Sequence, residues 1–175
     1  MHLSLQSCSI RKWQPGDELA LAKHANNYNI WINLRNSFPY PYTLQDAQNW
    51  ILIANASEPI TNFALEINGE AAGGIGLILQ PDVYSKSAEI GYWLSEMYWN
   101  RGIVTEALSA ITDYGFENLQ LKRIYAAVFD WNIKSARVLE KAGYQFEGKL
   151  YKSVYKNGKL IDSLLYAAIK PNTGA

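Results

Sequence analysis

Apolar and polar residues along this chain change period twice, first from helix-like to strand-like spacing near residue 60 and then into alternating strands and helices after residue 100. Leu3 to Trp13 alternate loosely and predict a first strand, stopped by Pro15-Gly16. Asp17 and Glu18 suit the first turn of a helix running to about Ala25, and a second helical piece covers roughly residues 27–35. Ser37-Phe-Pro-Tyr-Pro-Tyr42 must be extended, because each proline biases its predecessor away from the helical region and lacks an N–H of its own. Thr43 is then a natural N-cap with Asp46 three residues on. Ala47, Trp50, Ile51 and Ala54 form the apolar stripe that follows. From Ile60 the period is that of strands: Ile60 to Ile67, a turn at Asn68-Gly69, Ala71 to Leu79, a turn near Pro81-Asp82, and Ala88 to Leu94. This is an antiparallel meander.

The second half alternates. An apolar strand runs through a Gly-containing turn into a helix opened by Gly102, which carries Ile103, Ala107, Ile111 and Tyr114 on one face. Lys122 to Phe129 then returns as a strand rich in β-formers, so the helix between the two strands predicts a parallel crossover. Asn132 is the cap of the next helix, and Gly143 sits where a left-handed C-terminal residue belongs. Two long strands, 144–156 and 160–170, close around Asn157-Gly158. This order of elements predicts one α/β (α+β) domain over residues 8–171, a mixed sheet with helices on both faces.

Composition narrows the function. The 175 residues carry 16 basic and 16 acidic side chains, so no global field draws the chain to nucleic acid or to an anionic membrane. The densest basic cluster, Lys149, Lys152, Lys156 and Lys159, alternates with tyrosine and apolar residues as a hairpin would, and predicts a solvated sheet face. The single Cys8 has no partner at metal-ligand spacing and His2 and His24 stand apart, so no metal site is expected. No leader-like segment opens the sequence and nowhere do eighteen apolar residues run together, which predicts a cytoplasmic protein with no membrane partner. Twelve tyrosines and six tryptophans exceed what a core of this size requires, and some are expected to line a ligand groove.

Chemistry concentrates at the strand-to-helix turn. A helix N-terminus offers unpaired N–H groups and partial positive charge, so a turn with Arg101 and Gly102 can hold a pyrophosphate without metal help. Taken alone, a glycine there is more often a matter of backbone freedom. Its context is more specific. Glu89-Ile-Gly-Tyr-Trp-Leu, followed after Ser95-Glu-Met-Tyr by Trp99-Asn-Arg-Gly-Ile-Val-Thr-Glu-Ala107, resembles the acyl-CoA binding motif of the GCN5-related N-acetyltransferases. Asn132-Ile-Lys-Ser-Ala-Arg-Val-Leu-Glu-Lys-Ala-Gly-Tyr144, with Glu147-Gly148 and Asp162, is similar to the RimJ/RimL-like branch, as is the loop Phe38 to Ala47.

The resemblance implies the acyl-CoA N-acyltransferase fold, with a mostly antiparallel seven-stranded sheet, and transfer of an acetyl group from acetyl-CoA to a primary amine by direct attack in a ternary complex. It implies that the backbone of Tyr92, Trp93 and Leu94 pairs with the pantetheine arm, that Asn100, Arg101, Gly102, Ile103, Val104 and Thr105 receive the pyrophosphate, and that Asn132 and Ser135 reach the pantetheine and the thioester sulfur. Three positions depart from the family pattern: Trp99 and Val104 flank the turn where smaller or polar residues are usual, and Leu139 stands where many relatives carry the tyrosine that protonates the leaving thiolate. Ser135 takes that role in the branch. Glu89 is the first candidate for the base that accepts the amine proton, and Asp162 the second. Arg35, Tyr40 and Tyr42 are expected on the acceptor side, with Trp31 and Trp50 packed in the core. The acceptor is a protein N-terminus, as the branch suggests, or a small amine such as an amino acid, polyamine or aminoglycoside. A non-catalytic acyl-CoA-binding module is the alternative to an enzyme. The chain is expected as a monomer or homodimer.

Overall fold

A computed structural model describes residues 1–171. Eight strands form one sheet: β1 (His2–Ser4), β2 (Ser9–Arg11), β3 (Asn62–Ile67), β4 (Glu70–Leu79), β5 (Ser87–Leu94), β6 (Arg123–Phe129), β7 (Gln145–Lys156) and β8 (Lys159–Ile169), in the spatial order β1-β2-β3-β4-β5-β6-β8-β7. Five helices accompany them: α1 (Glu18–Ala25), α2 (Tyr28–Trp31), α3 (Leu44–Ala56), α4 (Ile103–Glu117) and α5 (Ile133–Lys141).

The expected seven strands become eight because the first predicted strand is a small hairpin. The carboxylate of Glu106, on α4, accepts the backbone N–H groups of Gln6 and Ser7 at 2.6 and 3.2 Å and the Ser7 hydroxyl. That contact, 99 residues away along the chain, folds the segment back on itself. The second predicted helix shrinks to the single turn of α2. Elsewhere local chemistry decides. Thr43 and Asp46 form a reciprocal capping box. Asn68-Gly69 and Asn157-Gly158 all have positive φ, as tight two-residue hairpin turns require.

Side-chain alternation along β3 sends Phe63, Leu65 and Ile67 into the larger core, beneath α4 and α5, and Ala64 into a smaller one on the opposite face, where Leu21, Ala47, Ile51 and Ala54 of α1 and α3 pack. The helices on both faces are thus each held by their own apolar layer. A buried ion pair closes the smaller layer: Arg11 makes two hydrogen bonds to Asp17, at 2.7 and 2.9 Å, and one to Glu66.

The decisive feature for function is where the sheet stops being continuous. Among the described residues β5 and β6 are the one parallel pair, and they pair only at Ser87, Ala88 and Glu89 against Arg123, Ile124 and Tyr125. Beyond Glu89 the strands part: β5 stays with β4 as far as Leu94, and β6 stays with β8 as far as Phe129. The β6-facing edge of residues 90–94 is left without a strand partner inside an otherwise continuous sheet.

Candidate active site

The split opens into a groove of 1910 Å³. That exceeds the roughly 300–1,000 Å³ typical of a pocket for one small ligand, and gives room for two substrates meeting end to end. One end lies between the free edge of β5 and the N-termini of α4 and α5; the other lies among the α2–α3 loop and the β7–β8 turn.

At the first end, Asn100 and Gly102 take left-handed conformations, with φ of 62° and 79°, and no side chain caps α4. The N–H groups of its first turn therefore point outward without intrahelical acceptors. Arg101 folds back over the Tyr98 ring, 5.5 Å from guanidinium carbon to centroid, and donates to the Met97 carbonyl at 3.0 Å. The two departures that flank this turn leave it open. The Trp99 indole donates to the Leu94 carbonyl at 2.8 Å, tying the end of β5 to the turn, and the half-buried Val104 packs against the larger core.

Asn132 caps α5 by accepting from the Ser135 N–H at 3.3 Å. The Ser135 hydroxyl is not a second cap. It lies 2.7 Å from the phenolic oxygen of Tyr92 on β5, so the hydroxyls of one helix and one splayed strand form a pair on the groove wall. Burial pushes the Tyr92 phenol up to about 12, which keeps it protonated and a donor across the physiological range. The sequence placed only the backbone of Tyr92 in the site; the period-2 spacing that put Ile90 and Leu94 in the core was the signal for its side chain. Leu139, where a tyrosine is usual in relatives, is fully buried in the core.

Glu89 and Arg35, 54 residues apart, meet at the point where β5 and β6 diverge. Nη2 of Arg35 donates to both carboxylate oxygens, at 2.5 and 2.6 Å. Glu89 is mostly covered and Arg35 largely exposed. Tyr42 lines the groove but is buried in the smaller core, where its ring packs on Phe38 at 4.8 Å. Tyr40 lies outside the groove lining, partly exposed and stacked on Trp31 at 5.6 Å. Asp162, the second candidate base, is also outside it: its carboxylate pairs with Lys149 at 2.7 Å and accepts the Lys152 N–H at 2.7 Å. Cys8 is buried, and its thiol is pushed up to about 11 first by that burial and then by the charge of Glu106, so it is no nucleophile. The solvated lysine face fails at one position: Lys156 is only 1% exposed and lines the groove.

The splayed parallel pair and the uncapped, glycine-opened helix both lie within a stretch that matches a known family. The profile described as Acetyltransferase (GNAT) domain matches residues 8–145. The chain belongs to the GNAT family. YoaA, an uncharacterised N-acetyltransferase of Bacillus subtilis (strain 168), is 42% identical over 86 residues, 49% of each protein. Spermidine N(1)-acetyltransferase of Escherichia coli (strain K12) is 33% identical over 97 residues, 55% of this chain and 52% of that protein. The chain thus spans about half the length of these curated relatives. Its fold is that of RimL, the ribosomal L7/L12 α-N-protein acetyltransferase solved with coenzyme A: TM-score 0.85 over 97% of this chain and 98% of that one, at 20% identity. Among the described residues no helix of this GNAT protein is long and apolar enough to cross a membrane.

Proposed function

We propose that this GNAT chain transfers an acetyl group from acetyl-CoA to the primary amine of a peptide N-terminus, by direct attack within the groove. The observation that carries the reading is the three-rung pairing of β5 and β6 followed by an open β5 edge that leads to the uncapped N-terminus of α4. The β6-facing backbone edge at Tyr92 suits an amide-bearing arm, while the Leu94 carbonyl at its end is taken by the Trp99 indole. The outward N–H groups of Gly102 to Thr105, with Arg101 beside them, suit a pyrophosphate. Acetyl-CoA supplies the activated acyl group when bound, and the residues of the chain do the rest. Asn132 and the end of β5 orient the arm. The Ser135–Tyr92 hydroxyl pair donates a proton to the departing thiolate, and Glu89 accepts the proton that the acceptor's ammonium must lose for its nitrogen to attack. For that, the amine must share or displace the Arg35 guanidinium.

Titration calorimetry of the protein with acetyl-CoA, followed by detection of free thiol on a panel of N-terminal peptides, polyamines and amino acids, tests the reading. Micromolar binding and thiol release on the peptides are expected. At about 100 times the dissociation constant the ligand adds about 2.7 kcal/mol of stability, which raises Tm by about 5–10 °C. No heat of binding and no Tm shift would remove the cofactor assignment.

Glu89→Gln is expected to lower kcat about tenfold on an N-terminal amine. An α-amine near pKa 8 is already about one-tenth neutral at pH 7, so a base has little more than that factor to contribute. An unchanged kcat would pass the proton to solvent.

A further inference from the structure

The acceptor end of the groove holds a cation that the fold does not balance. Lys156 closes β7 with its side chain turned inward, where a lysine with only a solubility role would reach out to water. An ammonium has three hydrogens to donate. Among the described residues, Nζ donates to Asn36 Oδ1 at 3.2 Å and stands 3.9 Å from the centroid of the Trp31 ring, and no carboxylate lies within ion-pair distance. Burial alone lowers its pKa, as expected for a charge held without a counter-ion.

The carboxylates along the groove are all engaged elsewhere. Glu89 is held by Arg35, Asp46 by the Thr43 cap, and Glu96 by Asn27 and Asn29. Arg35 is matched by Glu89, and Lys159 adds a further positive charge at the same end, so nothing there favours a polycation such as a polyamine.

We propose that Lys156 is the seat for a carboxylate carried by the acceptor, so that the substrate is a peptide with an acidic residue close to its reactive N-terminus. This rests on the acetyltransferase reading above and specifies its substrate. The aromatic face of Trp31 and the amide of Asn36 hold the ammonium in place before the acceptor arrives. Nζ has almost no exposed surface, so an arriving carboxylate reaches it by taking the place of the Asn36 amide oxygen, and it then supplies the missing charged acceptor in a site shielded from water, where such a hydrogen bond counts for more than it does at the surface.

The test is thiol release by the full chain on Ser-initiated tetrapeptides carrying Asp, Asn or Lys at the second, third or fourth position, with alanine elsewhere. At one of the three positions, kcat/KM for Asp is expected to exceed that for Asn by about 10- to 100-fold, the range of a charge-assisted hydrogen bond, with Lys below Asn. In Lys156→Met that ratio is expected to collapse toward one, with acetyl-CoA titration reporting that the variant is folded. Equal rates on Asp and Asn peptides at all three positions, a preference for Lys, or a ratio that survives in a folded Lys156→Met each overturn the proposal. The wild-type ratio decides it even if the variant does not fold. Thiol release without an acidic preference overturns only the carboxylate seat, whereas no thiol release on any acceptor overturns the acetyltransferase reading and the seat with it.

Discussion

Ser135→Ala is expected to lower turnover by about ten- to a thousandfold while leaving the affinity for acetyl-CoA nearly unchanged. The loss is confined to turnover because, in the proposed role, the hydroxyl serves a charge that develops only as the thioester breaks. The bound ground state gains little from it, so KM and the calorimetric affinity barely move. Tyr92 sharpens the expectation. Its phenol is 2.7 Å from the Ser135 hydroxyl, and either oxygen can donate to the other. If the two act as one relay, Tyr92→Phe costs a similar factor and the double variant costs little more than either single one, since the same proton path is broken in each. Independent multiplicative losses would separate the two hydroxyls. With the phenol at about 12, the relay gives the rate no falling alkaline limb below about pH 10; a limb near pH 8 or 9 would assign the donor to another group. Unchanged turnover in Ser135→Ala would remove Ser135 from the chemistry.

Arg11→Met is expected to destabilise the fold by about 3–5 kcal/mol, read as a fall in the urea midpoint or as a loss of about 10 °C in Tm. Arg11 and Asp17 are both buried, and their two hydrogen bonds tie β2 to the entry of α1. Methionine fills much the same volume but leaves the Asp17 carboxylate in the interior without its counter-charge, and that is the larger part of the cost. Two other ion pairs set the scale. Arg123–Glu147 and Lys149–Asp162 are both substantially solvated, and removing either cation is expected to cost under about 1 kcal/mol. A loss in Arg11→Met no larger than theirs would show that water reaches Asp17.

These residues also show what could be read along the chain and what could not. Thr43 with Asp46, Asn68-Gly69, Gly102, Asn132, Gly143 and Asn157-Gly158 announce caps and turns because each either satisfies backbone groups a few positions away or takes the left-handed conformation a turn needs. Local chemistry of that kind is written locally. The period-2 stretches gave β3, β4 and β5 to within about two residues for the same reason. Side chains that meet across the fold were not legible. Nothing near Gln6 says that Glu106 will fold the first strand into a hairpin. Nothing near Arg35 says that Glu89 will hold it. Lys156 looked like one solvated lysine among four because hairpin alternation assigns a face without saying whether that face will be covered; Trp31 at the end of α2 and Asn36 in the loop after it, more than a hundred residues earlier, cover it. Tyr40 was placed in the groove by its flanking prolines, which set the backbone but not the partner its ring would find.

The short pairing of β5 with β6 makes this sheet two panels joined by three rungs. One panel runs from β1 to β5 and the other from β6 through β8 to β7, and the chain crosses the seam once, through α4. The seam has few backbone bonds of its own, and the larger core beneath α4 and α5 packs across it, so the joint is held by side chains and by whatever occupies the gap. A guest that hydrogen-bonds along the open side of β5 completes a row of backbone contacts as it binds, and so stiffens the joint that determines how close the hydroxyls of Tyr92 and Ser135, one on each side of the seam, remain.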